Sequence, residues 1–124
     1  MKNIRVAAVI AALSVSGVAY AAEAEKDGAE VAYQALSEGR TAEAIAQLDK
    51  SPAVAAGDPA ALINLGTAYS RQGRDTEARA QFTAALNSRD HYYLELADGR
   101  WVDSRNAAKM ALDHLARKSD IALR

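Results

Sequence analysis

Two histidines, His91 and His114, are the only imidazoles in the chain, and each directly follows an aspartate, in Asp90-His91 and Asp113-His114. A carboxylate beside an imidazole is the pairing that general acid–base catalysis uses. Neighbouring residues on one strand or helix point apart, however, so neither dipeptide is a ready-made dyad, and partly exposed surface histidines are the plainer reading. The chain has no cysteine, and no zinc spacing, calcium loop or phosphate-binding glycine motif occurs. No metal or cofactor is therefore expected, and an enzyme is the least supported class because no site argues for one. Arg71, Arg74, Arg79 and Arg89 could steer an acidic peptide or a carboxylate; the alternative is a solvated face balanced by Asp75, Glu77 and Asp90. Trp101 is the only tryptophan, and with Tyr92 and Tyr93 it could anchor a partner, although large rings are more often used to cover helix faces, which favours a packing role.

These residues need a scaffold, and the N-terminus bounds where it works. Lys2 and Arg5 precede an apolar run from Val6 to Val18 that ends in Ala19-Tyr20-Ala21, the pattern of a signal peptide cleaved after Ala21, with a cut after Ala24 as the alternative. A membrane span needs about 20 apolar residues, and this run is shorter and diluted by Ser14, Ser16 and Gly17. Export to the periplasm is the expectation, and no stable membrane span is expected after cleavage. Residues 1–21 are read as the leader and 22–124 as a single small domain. Without cysteine, that domain must hold together by packing alone. Loss of Lys2 and Arg5 from 15 Lys and Arg, against 16 Asp and Glu, takes the net charge from −1 to −3, which argues against nucleic acid as the partner.

Along the mature chain the pattern is helical. Residues 22–27 read as a frayed lead-in. Val31, Ala32, Ala35 and Leu36 have amphipathic spacing over Glu30 to Glu38, ending at Gly39, and Thr41 is expected to cap a second helix. Lys50 to Gly57, with Pro52 and Gly57, reads as a connector. Asp58-Pro59 restarts a helix that stops at Gly73, and Asp75 is expected to cap the next, which runs to about Asn87. The segment beginning Gly39-Arg40-Thr41-Ala42-Glu43-Ala44 aligns with Gly73-Arg74-Asp75-Thr76-Glu77-Ala78, so the unit is repeated.

The spacing Leu62-x2-Leu65-Gly66-x2-Tyr69, followed by Ala78-x3-Phe82, resembles the tetratricopeptide repeat, as do Ala61, Asn64, Ala68, Gln72, Gly73, Glu77, Ala85 and Leu86. The resemblance is strong over Asp58 to Ser88 and weaker over Glu25 to Asp58. Leu62 replaces the family's usual Trp, and Asp90 stands where its terminal Pro would be. By resemblance, the first helix of each hairpin lines a concave groove, which places Ile63, Asn64, Thr67, Ser70 and Arg71 as partner-binding residues. Asn64 would pair with a peptide backbone and Arg71 with a carboxylate. One repeat upstream Glu30 and Ser37 take those two places, so a clamp shared by both hairpins is not expected. Gly66 and Ala78 are small enough to let the helices of one hairpin close on each other.

About three repeats are typically needed to bury a solenoid core, and two are recognisable. The remainder must cap them, or a second copy of the chain must. Tyr92, Leu94 and Leu96 alternate with Tyr93 and Glu95, and Asp98-Gly99 leads into Arg100-Trp101-Val102. This predicts a β-hairpin with a two-residue type I′ turn; a first helix of a degenerate third repeat is the rival. Asp103 or Ser104 then caps a last helix whose Ala107, Ala108, Ala111, Leu112 and Leu115 form one apolar stripe. The expected fold is mainly α: two hairpins (about 25–57 and 58–89), then a short β-hairpin and a capping helix (about 90–124). The expected function is a non-catalytic scaffold for an unidentified protein or peptide, with a self-associating structural protein, a homo-oligomer, as the alternative.

Overall fold

The computed structural model describes residues 8–9 and 28–124. The expected leader, apart from Ala8 and Val9, and the lead-in at 22–27 lie outside the described residues. The elements run β1 (Ala8–Val9), α1 (Gly28–Ser37), α2 (Thr41–Asp49), α3 (Pro52–Ala55), α4 (Pro59–Arg71), α5 (Asp75–Leu86), β2 (Tyr93–Leu96), β3 (Trp101–Asp103) and α6 (Ser104–Ala122). The fold is mainly α, with α1/α2 and α4/α5 as the two helical hairpins, a β-hairpin and a C-terminal helix.

The repeat is visible in how each first helix ends. Gly39 and Gly73 both take positive φ, 78° and 74°, which only glycine adopts at little cost. In each case the glycine N–H donates three residues back (to Leu36 and Ser70), and the following arginine N–H donates five back (Arg40 to Ala35 at 2.8 Å, Arg74 to Tyr69 at 2.9 Å). This satisfies the last carbonyls of the helix and reverses the chain. The turn also corrects two expected caps. Arg40 O and Arg74 O already accept the first bonds of the next helices, from Ala44 N and Ala78 N. Thr41 and Asp75 are thus the first helical residues, not caps. The arginines at the cap positions instead pair with Glu43 and Glu77 one turn on.

The connector differs from expectation as well, because it holds the one-turn helix α3. Ser51 caps that helix by accepting from Ala53 N at 3.2 Å, with Pro52 at the first position, where no amide is required. Asp58 caps α4 as expected, its Oδ2 accepting from Ala61 N at 2.9 Å.

One core joins all of this. Leu36, Leu48, Ile63, Leu65, Phe82, Leu94 and Leu115 are fully or almost fully buried in it, and α4 runs through the middle, packed by α1, α2, α5 and α6. Gly66 lies under the Phe82 ring: a Cβ there would come within 2.6 Å of the ring's Cε1. The expected stripe of α6 is buried at Ala107, Ala108, Ala111 and Leu115, and Leu112 is partly covered. It packs on α5 and α4, covering the face that a third repeat would otherwise take. Lys118 Nζ fastens α6 to the α4–α5 turn, donating to Ser70 O at 3.1 Å and Asp75 Oδ1 at 2.9 Å.

The segment from Tyr92 forms the hairpin, not a third-repeat helix. β2 pairs antiparallel with β3, Leu94 opposite Val102 and Glu95 opposite Trp101. Its turn is not the expected two-residue type I′, since only Gly99 has positive φ (82°). Gly99 N donates to Leu96 O, and Leu96 N donates to Arg100 O, both at 2.8 Å, the arrangement of a three-residue loop whose glycine forms a bulge. Asp98 stays in the ordinary φ range and accepts from Arg100 N at 3.1 Å. Between the two candidate caps of α6 it is Asp103 that serves, accepting from Arg105 N at 2.9 Å. Ser104 is buried and exchanges hydrogen bonds with the Tyr92 main chain, closing the open end of the hairpin. The sheet order is β1-β2-β3, with β1 parallel to β2.

Candidate functional site

The five groove residues expected from the second repeat fall into two sets. Ile63, Asn64 and Thr67 have no exposed surface; Ser70 is half-buried and Arg71 is exposed. The first three therefore do not line an open groove in this structure. The face of α4 is enclosed by α1, α2, α5 and α6, and β1 runs beside both α4 and α1. Asn64 and Thr67 are both engaged in interactions within the protein.

Arg71 reaches across the repeats. Its Nη1 donates to Leu36 O, at the C-terminal end of α1, at 2.6 Å. A guanidinium at that end adds a second donor to a carbonyl that already accepts from Gly39 N and meets the negative pole of the helix. Partial burial lowers the Arg71 pKa, since desolvation opposes its charge. Replacing Arg71 with Ala is expected to lower the unfolding free energy by about 1 kcal/mol, an ordinary hydrogen-bond contribution reduced by solvent access. Urea denaturation measures it, and no change would show that the tie is inert.

Of the other arginines of the second repeat, Arg74 is also partnered nearby. The Arg74 guanidinium lies 4.5 Å from the centre of the Tyr69 ring and hydrogen-bonds Glu77. The Tyr69 hydroxyl donates to Asp49 Oδ1 at 2.8 Å, binding the second repeat to the end of α2. Burial, followed by that carboxylate, raises the Tyr69 pKa above 10.0. A raised phenol pKa stabilises the fold while the group is protonated, and that contribution is lost only as pH rises through the folded-state value.

Aromatic residues of the hairpin occupy both faces of the sheet. Leu94 and Leu96 point into the core, so alternation places Tyr93, Glu95, Trp101 and Asp103 on the outer face. Tyr93 is 58% and Trp101 46% exposed, which corrects the packing role expected for Trp101. Tyr92 turns the other way and donates its hydroxyl to Asp58 Oδ1. His91 Nδ1 stands 3.4 Å from Asp103 Oδ2, with the imidazole half exposed. Among the described residues, no group of three His, Cys, Asp or Glu gathers as a metal site would require, and no helix is long and apolar enough to cross a membrane.

What the residue pattern did not disclose is that the β2 edge takes a third strand. The only signal was the β-branched and small composition of Val6 to Ile10, which also suits a leader. A family model described as a tetratricopeptide repeat matches residues 35–97, just over half of the chain. No curated protein and no solved structure gave a significant match.

Proposed function

The chain belongs to the tetratricopeptide repeat family, and from that premise we propose that it is a non-catalytic scaffold of the cell envelope that binds a protein or peptide along the side formed by α1 and α4. Repeats of this family mediate protein–protein interaction and are typically not enzymatic. The observation that carries the reading is the placement of β1: an extended segment lies beside the first helix of each hairpin, where a peptide partner would run. Ile63, Asn64, Thr67, Ser70 and Arg71 are the α4 residues we assign to that site, the first three having no exposed surface in this structure.

Export supports the same reading. Cleavage after Ala21 would remove β1 together with the leader and deliver residues 22–124 to the periplasm. N-terminal sequencing of protein recovered from the periplasm is expected to begin at Ala22; a start at Glu25 would move the cut to Ala24, and an intact Met1 would remove the leader reading. The packing of α6 on α5 supports the single-copy reading over self-association. Mass independent of concentration is expected for residues 22–124.

The binding test is affinity capture from envelope extract by residues 22–124 beside an Asn64→Ala/Arg71→Ala variant shown by circular dichroism to be folded. A protein held by the first and lost by the second supports the α4 wall. Equal capture moves the contact to the exposed Tyr93 and Trp101.

A further inference from the structure

We propose that the outer edge of β2, walled by α1 and α4, is a strand-accepting site that binds an extended, apolar, non-acidic segment of a partner polypeptide in parallel, and that Ala8–Val9 occupies this site in the unprocessed chain. The proposal rests on the reading of the protein as a peptide-binding scaffold whose leader is removed.

Leu96 donates its N–H to Arg100 O, and Tyr92 accepts at its carbonyl from Ser104 N, so both residues turn their main chain toward β3. Alternation along a strand sends the N–H and C=O of Tyr93 and Glu95 the other way. On that edge stands β1, with Ala8 in register with Glu95 and Val9 with Leu96, and among the described residues nothing else pairs there. Loss of residues 1–21 takes β1 away and leaves those main-chain groups on an open edge. Such an edge is a template for another strand, and strand addition is a recurring mode of peptide capture.

The chemistry of the occupant follows from the site. β1 belongs to the apolar sequence Val6-Ala7-Ala8-Val9-Ile10, and the flanking helices carry Ala32, Ala35, Ala60 and Ile63 among their buried residues. Glu95 stands opposite Ala8 and close to α1, where, after burial, its charge is the second cause raising the Tyr33 pKa. A carboxylate at that position repels an acidic residue on the incoming strand. While β1 is attached it competes as a tethered ligand at an effective concentration on the order of millimolar, which closes the site to micromolar peptide.

The test uses a fluorescent synthetic peptide of residues 2–12 as the probe. Among the described residues, the hydrophobic core from Ala32 to Leu115 lies within 22–124, and circular dichroism verifies the fold of each protein used. Fluorescence anisotropy is expected to show saturable binding to residues 22–124 and at least about tenfold weaker binding to residues 1–124 carrying the leader. Glu95→Pro, which removes one edge N–H without touching the β3 ladder, is expected to weaken binding about tenfold or more, whereas Glu95→Ala leaves it within about threefold. A peptide N-methylated at Ala8 and Val9 supplies the reciprocal test on wild-type protein, and a peptide with Asp in place of Ala8 is expected not to bind. Equal binding by the leader-bearing and leader-free chains, or by the Glu95→Pro and Glu95→Ala proteins, overturns the proposal. Panning a random peptide library separates the two readings. Peptides whose binding ignores Glu95→Pro leave the scaffold standing and remove the strand site, while a folded 22–124 that retains no peptide removes both.

Discussion

Phe82→Ala is expected to lower the unfolding free energy by about 3–5 kcal/mol, the range for deleting a buried phenyl ring, and to reverse the sign of a second substitution at Gly66. The ring is 2% exposed and fills the space between α4 and α5 that the missing Gly66 side chain leaves. With Phe82 present, Gly66→Ala puts a methyl 2.6 Å from Cε1 of a buried ring, so the ring or the helices must shift. Overpacking of that kind costs about 1–3 kcal/mol, against about 1 kcal/mol gained from helix propensity. With Phe82 already cut to Ala, the clash is gone and Gly66→Ala becomes stabilising by up to about 1 kcal/mol. Urea denaturation of the four proteins closes the cycle. Additivity to within about 0.5 kcal/mol would show that the two positions do not touch energetically.

Asp58→Ala is the second large effect, because one carboxylate serves two elements. Its Oδ2 accepts from Ala61 N and caps α4, while its Oδ1 accepts the Tyr92 hydroxyl at the start of the hairpin. Loss of a cap costs about 1 kcal/mol, and loss of a hydrogen bond to a charged group about 1.5–3 kcal/mol, so about 2.5–4 kcal/mol is expected together. Asp58→Asn keeps an acceptor at the cap and should cost less than half as much. Tyr92→Phe should reproduce only the second contribution. A Tyr92→Phe loss equal to that of Asp58→Ala would assign the whole effect to the hairpin. The same hydrogen bond joins the residue before β2 to the cap of α4, so Asp58→Ala should also weaken the residue 2–12 peptide at the β2 edge.

The repeat was legible because its signals are local. Gly39 and Gly73 sit 34 positions apart, each followed directly by Arg and, four residues on, by Glu-Ala, and each reverses the chain by its own backbone geometry. Asp58-Pro59 marked the start of α4 for the same reason, since a cap and a proline act within one turn. The apolar stripe of α6 was likewise readable from spacing. Where expectation and structure differ at local scale, a neighbouring bond decided the outcome. Thr41 and Asp75 lost their capping roles because the preceding arginine carbonyls already begin the helices. The hairpin took a three-residue loop because Asp98 accepts from Arg100 N and Gly99 alone adopts the left-handed conformation.

By itself the sequence determined two helical hairpins, a β-hairpin and a closing helix, and a chain without thiols. These depend on periodicity, turn chemistry and composition, which act over a few residues. Only the tertiary structure decided which polar residues are spent. Asn64 and Thr67 have no exposed surface, Arg71 bonds the end of α1, and Trp101 stands half exposed on the outer face of the sheet. The strand on the β2 edge was decided there too, because that pairing joins residues more than eighty positions apart. Burial and long-range pairing depend on how α1, α4 and the sheet meet, and no local pattern encodes that meeting.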